Sequence, residues 1–187
     1  MSQYSVFDDN IPVDQDNFAV AILRKPDGKN PEHAFIMVEG RDKDGSGFLW
    51  RYDLFLDSGN KENRALINRI EKKFQLDQAQ SVFKKEILKD EEVYGLAWSI
   101  TYEQAVELNE DILNDQKNPP IYQVSGDKSL IAKSSSNEGH SCFSWAREKL
   151  HNLKDERIKL PPKYSDFIAS KTSFHIRGGK EGGCRIF

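Results

Sequence analysis

Cysteine and histidine are scarce in this chain of 187 residues, which holds two of the first, Cys142 and Cys184, and four of the second, at positions 33, 140, 151 and 175. Two cysteines in unlike surroundings offer no disulfide framework. Scattered histidines with no paired-cysteine spacing make no tetrahedral ligand set, so neither a metal nor another cofactor is expected. What remains is thiol chemistry, and each cysteine is read alone.

A polar loop, Ser134 to Gly139, delivers the chain into Cys142-Phe143-Ser144-Trp145-Ala146-Arg147-Glu148-Lys149-Leu150, whose apolar face continues to Leu153 and predicts a helix. A cysteine at a helix start meets unpaired backbone N–H groups and the positive end of the helix dipole, and both favour thiolate over thiol. The same donors could hold the oxyanion of a tetrahedral intermediate. The position also suits a plain core cysteine, because Cys142 shares its face with Ala146, Leu150 and Leu153. A nucleophile further needs an imidazole to take its proton, and His33 is the candidate base. Asp53, on a strand expected to neighbour that of His33, suits the carboxylate that orients the ring. Glu39 is a weaker choice, expected at a strand end in water. His175 is the next base to consider, His140 is expected at the rim within reach of substrate, and His151 at the C-terminal surface of the helix.

The elements that must position these groups follow from hydrophobic pattern. Residues 1–16 read as a polar lead-in. Phe18–Leu23, His33–Gly40 and Phe48–Leu56 read as three strands joined by turns, the second apolar on both faces as a central strand is. Lys61 to Gln75 places Ala65, Leu66, Ile70 and Phe74 at helical spacing, and Ser81 to Ser99 is expected to hold two short strands. Thr101-Tyr102-Glu103-Gln104 is a capping box opening a helix that runs to about Lys117, where Asn118-Pro119-Pro120 stops it. The sum is an α+β domain over residues 1–176, an antiparallel meander packed with about three helices, followed by a Gly-rich tail over 177–187.

Gly139-His140-Ser141-Cys142-Phe143-Ser144-Trp145-Ala146-Arg147 resembles the cysteine helix of papain-like hydrolases, and His33-Ala34-Phe35-Ile36-Met37-Val38-Glu39-Gly40 resembles their histidine strand. Histidine before cysteine is the order of the circularly permuted branch, which includes NlpC-type and lecithin:retinol acyltransferase-like enzymes. The resemblance implies a papain-like core and an acyl-transfer activity on Cys142, with His33 as base. The chain departs from the permuted acyltransferases in having Ser141 where Asn usually precedes the cysteine, and Phe143-Ser144 where acidic and His residues follow it.

Cys184-Arg185-Ile186-Phe187 fits a C-a-a-X prenylation box, the terminal Phe pointing to geranylgeranyl, after a stretch, Gly178 to Gly183, able to enter a prenyltransferase. Prenylation is eukaryotic chemistry, and the Cys142 stretch resembles sequences in Legionella-type translocated effectors. A bacterial effector borrowing a host prenyltransferase is therefore expected, acting on a host protein or lipid in the host cytosol and reversibly held at a membrane surface. With 37% hydrophobic and 30% charged residues, wholesale disorder is excluded. A net charge of −3 without a basic, aromatic-interleaved run argues against nucleic acid as a partner. The alternative class is a non-catalytic, membrane-anchored interaction module on the same scaffold.

Overall fold

The computed structural model describes residues 4–25, 33–123 and 139–161, with the backbone alone at 174–176. Four long strands follow one another: β1 (Asn17–Lys25), β2 (His33–Arg41), β3 (Gly47–Leu56) and β4 (Ala65–Phe74). A helical segment comes next, with a 3-10 turn (Leu76–Gln78), α1 (Ala79–Ser81) and a π-helical stretch (Val82–Ile87). Then come β5 (Val93–Thr101), α2 (Tyr102–Lys117), α3 (Cys142–His151) and the short β6 (Phe174–Ile176). All pairings are antiparallel, in the order β4-β3-β2-β1-β5-β6. This is the α+β meander that the strand and helix patterns predict.

The sheet buries both faces, which is why Phe18–Leu23 of β1 and Ala34–Val38 of β2 are unbroken apolar runs. On one face Val20, Ile22, Ile36, Val38, Tyr52 and Leu54 pack under α2 and α3, with Trp145, Leu150 and Leu108. On the other, Ala21, Leu23, Phe35, Met37 and Leu49 are covered by Phe83, Ile87 and Leu88 of the helical segment and by Val6, Phe7, Ile11 and Val13. Thus residues 4–16 are no polar lead-in; the apolar residues interspersed among the aspartates, Val6, Phe7, Ile11 and Val13, form part of a core. Glu39, expected in water, is fully buried and holds that segment, accepting from Ser5 Oγ at 2.8 Å and Val6 N at 2.7 Å. Arg41 Nη2 lies 2.9 Å from its other oxygen, near enough to pair charges but not aligned as a hydrogen bond. Burial pushes the Glu39 carboxyl up, against the pull of Arg41, Ser5 and Val6.

Two further expectations are corrected. Residues 65–74 form β4 rather than a helix, because β3 offers ten residues of ladder partners, from Gly47↔Phe74 to Leu56↔Ala65. That long-range pairing outweighs the helical spacing of Ala65, Leu66, Ile70 and Phe74. Gly47 is fitted to it, since a Cβ there would stand 2.2 Å from the Phe74 ring. Between residues 81 and 99 there is one strand, not two: Val82 and Ile87, like Phe83 and Leu88, are buried five residues apart, the repeat of an i→i+5 helix.

Removing the Glu39 carboxylate leaves Arg41 buried without its charge partner and releases residues 5 and 6. Glu39→Ala is expected to cost about 3–5 kcal/mol, read as a lowered urea midpoint at unchanged slope.

Candidate active site

Cys142 is the first residue of α3, and the helix is fixed at both ends. Ser141 caps it: Ser144 N donates to Ser141 Oγ at 3.2 Å while Ser141 N donates to Ser144 Oγ at 2.9 Å. This capping box uses Ser where the usual pattern has Glu or Gln, so it is easily passed over in the sequence. Farther along, Lys149 Nζ lies 2.9 Å from Asp111 and 2.7 Å from Asp115 on α2, and Trp145 Nε1 donates to Asp115 at 2.8 Å. Ala146, Leu150 and Leu153 are buried on the stripe that begins with Cys142, as the spacing predicts.

His33 opens β2, and Asp53 stands on the same face of β3. His33 Nε2 is 2.7 Å from Asp53 Oδ1, and the ring stands close enough to the Cys142 thiol for each to shift the other's titration. With Nε2 engaged by the carboxylate, Nδ1 is the nitrogen left for sulfur. The ring plane is set by stacking, on Phe55 at 4.9 Å and Phe35 at 5.9 Å between centroids. Ala34 N donates to Cys142 Sγ at 3.5 Å, so the first two residues of β2 both address the sulfur. The three residues singled out as nucleophile, base and orienting carboxylate are therefore brought together.

The electrostatics match a thiolate–imidazolium pair. Burial opposes a charged His33, but its hydrogen bonds and charge interactions with Asp53 and Cys142 outweigh burial and raise the ring to about 9. Burial likewise pushes the Cys142 thiol up, yet the His33 hydrogen bond, the Ala34 N–H, the imidazolium charge and the Phe143 N–H bring it below the ordinary value. Asp53 is 1% exposed; burial raises its carboxyl, and the His33 and Arg51 hydrogen bonds lower it further than burial lifts it.

Tyr122 belongs to the site and was not singled out from the sequence. Its N–H donates to Asn63 O at 2.7 Å, its backbone bridges His140, and its hydroxyl stands near enough to the Cys142 sulfur for the thiol to raise its titration. Burial, then the neighbouring Cys142 sulfur, push the phenol up to about 12, so it remains an O–H donor. No local pattern marks it, because only the pairing of residues 121–123 with 140 and 63–65 carries it there. Four of the six exposed large hydrophobics of the described residues, Phe55, Leu56, Leu66 and Ile121, lie at this end of the sheet: Phe55 pairs with Leu66, Leu56 with Ala65, and Ile121 bridges Arg64.

The remaining candidates fall elsewhere. His140 precedes the helix as expected, with Nε2 3.3 Å from Glu148 of α3. His151 is exposed in the last turn of α3. The backbone of His175 pairs with Tyr94 on the edge strand, three strand spacings from β2, roughly 14 Å. Cys184 and residues 177–187 lie outside the described residues. A groove of about 870 Å³ floored by Phe48 and Trp50 opens beside Arg41, at the opposite end of β2 from His33.

Cys142 should alkylate with iodoacetamide well below the pH at which an ordinary thiol reacts. Thiolate and imidazolium coexist between the lowered thiol pKa and about 9, so reactivity is gained as pH rises through the first, and the ring loses its proton above the second. His33→Ala is expected to move the alkylation midpoint to higher pH, measured by mass spectrometry of the labelled Cys142 peptide. No family model, no curated protein and no solved structure matches this chain.

Proposed function

We propose that the protein is a cysteine-dependent acyl-transfer enzyme, a hydrolase or acyltransferase acting on an amide, thioester or ester. The observation that carries this reading is the convergence of Cys142, His33 and Asp53: the ring is 2.7 Å from the Asp53 carboxylate, the N–H of the next residue, Ala34, donates to Cys142 Sγ, and ring and thiol shift each other's titration. The Cys142 thiolate attacks the substrate carbonyl carbon, forming a C–S bond as the carbonyl π electrons move to oxygen. The oxyanion collapses, the bond to the leaving group breaks, and the His33 imidazolium gives that group its proton. The neutral imidazole then takes a proton from water or another acceptor nucleophile, which attacks the thioester and releases the thiolate. Asp53 keeps the ring in the productive orientation throughout and stabilises the imidazolium. The Tyr122 hydroxyl, beside the sulfur, is a donor for the developing oxyanion. The geometry is also compatible with the permuted papain-like core that the sequence resembles. The exposed Phe55, Leu66 and Ile121 favour a substrate with an apolar group beside the scissile bond.

A second reading, an interaction module without catalysis, is favoured by the burial of Cys142, which is 6% exposed and continuous with the core. Cys142→Ala and His33→Ala separate the two. Each is expected to abolish turnover and labelling by a thiol-directed acyl probe while thermal unfolding stays near that of the parent. Full biological activity of Cys142→Ala in host cells would favour the module.

We further propose that Cys184 is prenylated in a eukaryotic cell and holds the protein reversibly at membranes. No helix of the described residues is long and apolar enough to cross a bilayer. A single prenyl chain gives marginal binding, and Lys171, Arg177 and Lys180 add a sparse electrostatic supplement that Glu181 opposes. Fractionation is expected to find the parent partly on membranes, released further by salt, and Cys184→Ser in the cytosol.

A further inference from the structure

Asp53 does not serve His33 alone. Arg51, two residues back on the same face of β3, donates Nε to Asp53 Oδ2 at 2.8 Å and Nη2 to Oδ1 at 3.0 Å, so Oδ1 is shared between guanidinium and imidazole. The guanidinium is itself held. Its Nη1 donates to Ile87 O at 3.1 Å, and its Cζ lies 4.0 Å from the centroid of the Phe35 ring. Ile87 ends the π-helical stretch, so that helix presents a backbone carbonyl to Arg51.

We propose that Arg51 is a positioning residue of this site: its fork keeps the Asp53 carboxylate aimed at His33, and its positive charge sets the pH range over which the Cys142–His33 ion pair exists. The inference rests on the proposed dyad. A bidentate guanidinium fixes a carboxylate in plane and in rotation, which a single imidazole bond does not. A permanent positive charge on the carboxylate also offsets part of the charge that stabilises the imidazolium, and it favours thiolate over thiol. Removing it therefore moves both titrations the same way, toward higher pH.

Of the other charged groups on the elements around the pair, several are already paired or neutral. Lys25, opposite His33 on β1, is 2.6 Å from Glu91. Asn68, opposite Asp53 on β4, is uncharged, and Tyr122 stays an O–H. On the helical segment Glu86 lies 3.7 Å from Lys72 of β4, while Lys84 and Lys85 stand in its last turn. Ahead of α3, His140 pairs with Glu148. Among the described residues, the ion pairs of Asp53 are those with His33 and Arg51.

The test uses the full chain carrying Cys184→Ser, so that Cys142 is the single thiol. Alkylation rate against pH gives the thiolate midpoint, and the His33 ring-proton resonance gives the imidazolium midpoint. Arg51→Gln is expected to shift both alkaline by about half a unit to one unit, and Arg51→Lys, which keeps the charge but not the fork, to return part of each shift. Unmoved midpoints in Arg51→Gln, or equal shifts in the Gln and Lys variants, would overturn the proposal while leaving the dyad standing. A parent Cys142 that titrates as an ordinary thiol, indifferent to His33→Ala, overturns the dyad and this inference together. Should Arg51→Gln not fold, the Arg51 Nε–H resonance of the parent decides: it shifts through the His33 titration if the proposal holds, and a resonance that stays put refutes it.

Discussion

A carboxylate shut away from water must be paired, and at Asp53 the partners that meet this requirement are the candidate site itself. Removing a charge from water costs several kcal/mol even after relaxation, about the size of a small domain's whole stability margin. Asp53 meets the cost with an imidazole on one side and a guanidinium fork on the other. The imidazole in turn needs the thiol, and the guanidinium needs a carbonyl from the helical segment and an aromatic face. One buried charge thereby fixes the relative placement of β2, β3, α3 and the segment between β4 and β5.

The same logic explains how much could be read from sequence. Strands β1 to β3 and helices α2 and α3 are marked by local patterns: apolar runs ended by turn residues, Thr101 with Gln104, and the stripe from Cys142 to Leu153. His33 and Asp53 are marked too, because an antiparallel meander places neighbouring strands side by side. What is decided by distant partners was not legible. β4 takes its form from the whole length of β3, against its own spacing. Glu39 shows nothing in its immediate neighbours to say that residues 5 and 6 will cover it. Nothing beside Arg51 in the sequence says that Ile87 and Phe35 will enclose it, nor beside Tyr122 that its backbone will be pinned to Asn63 and His140.

Cys142 serves two purposes that usually conflict. It belongs to the apolar stripe of α3, in contact with the sheet, and its sulfur is addressed by the N–H groups of Ala34 and Phe143, the His33 ring and the Tyr122 hydroxyl. Burial alone would keep the thiol protonated, so these donors must exceed the desolvation cost for a thiolate to persist. The helix cannot drift to relieve that cost, since Lys149 is locked between two aspartates of α2.

The order of these residues along the chain bears on how the protein assembles. The His33–Asp53 contact spans 20 residues, whereas the Ala34–Cys142 contact spans 108. Short loops close before long ones, and a chain emerging from the ribosome presents the meander first. The base and its carboxylate are thus set while the nucleophile is still unmade or unplaced, and the thiol acquires its thiolate character only when α3 docks. By that reasoning a nascent or partly unfolded chain carries an ordinary, sluggish cysteine, and reactivity toward electrophiles and oxidants arrives only with the docking of α3.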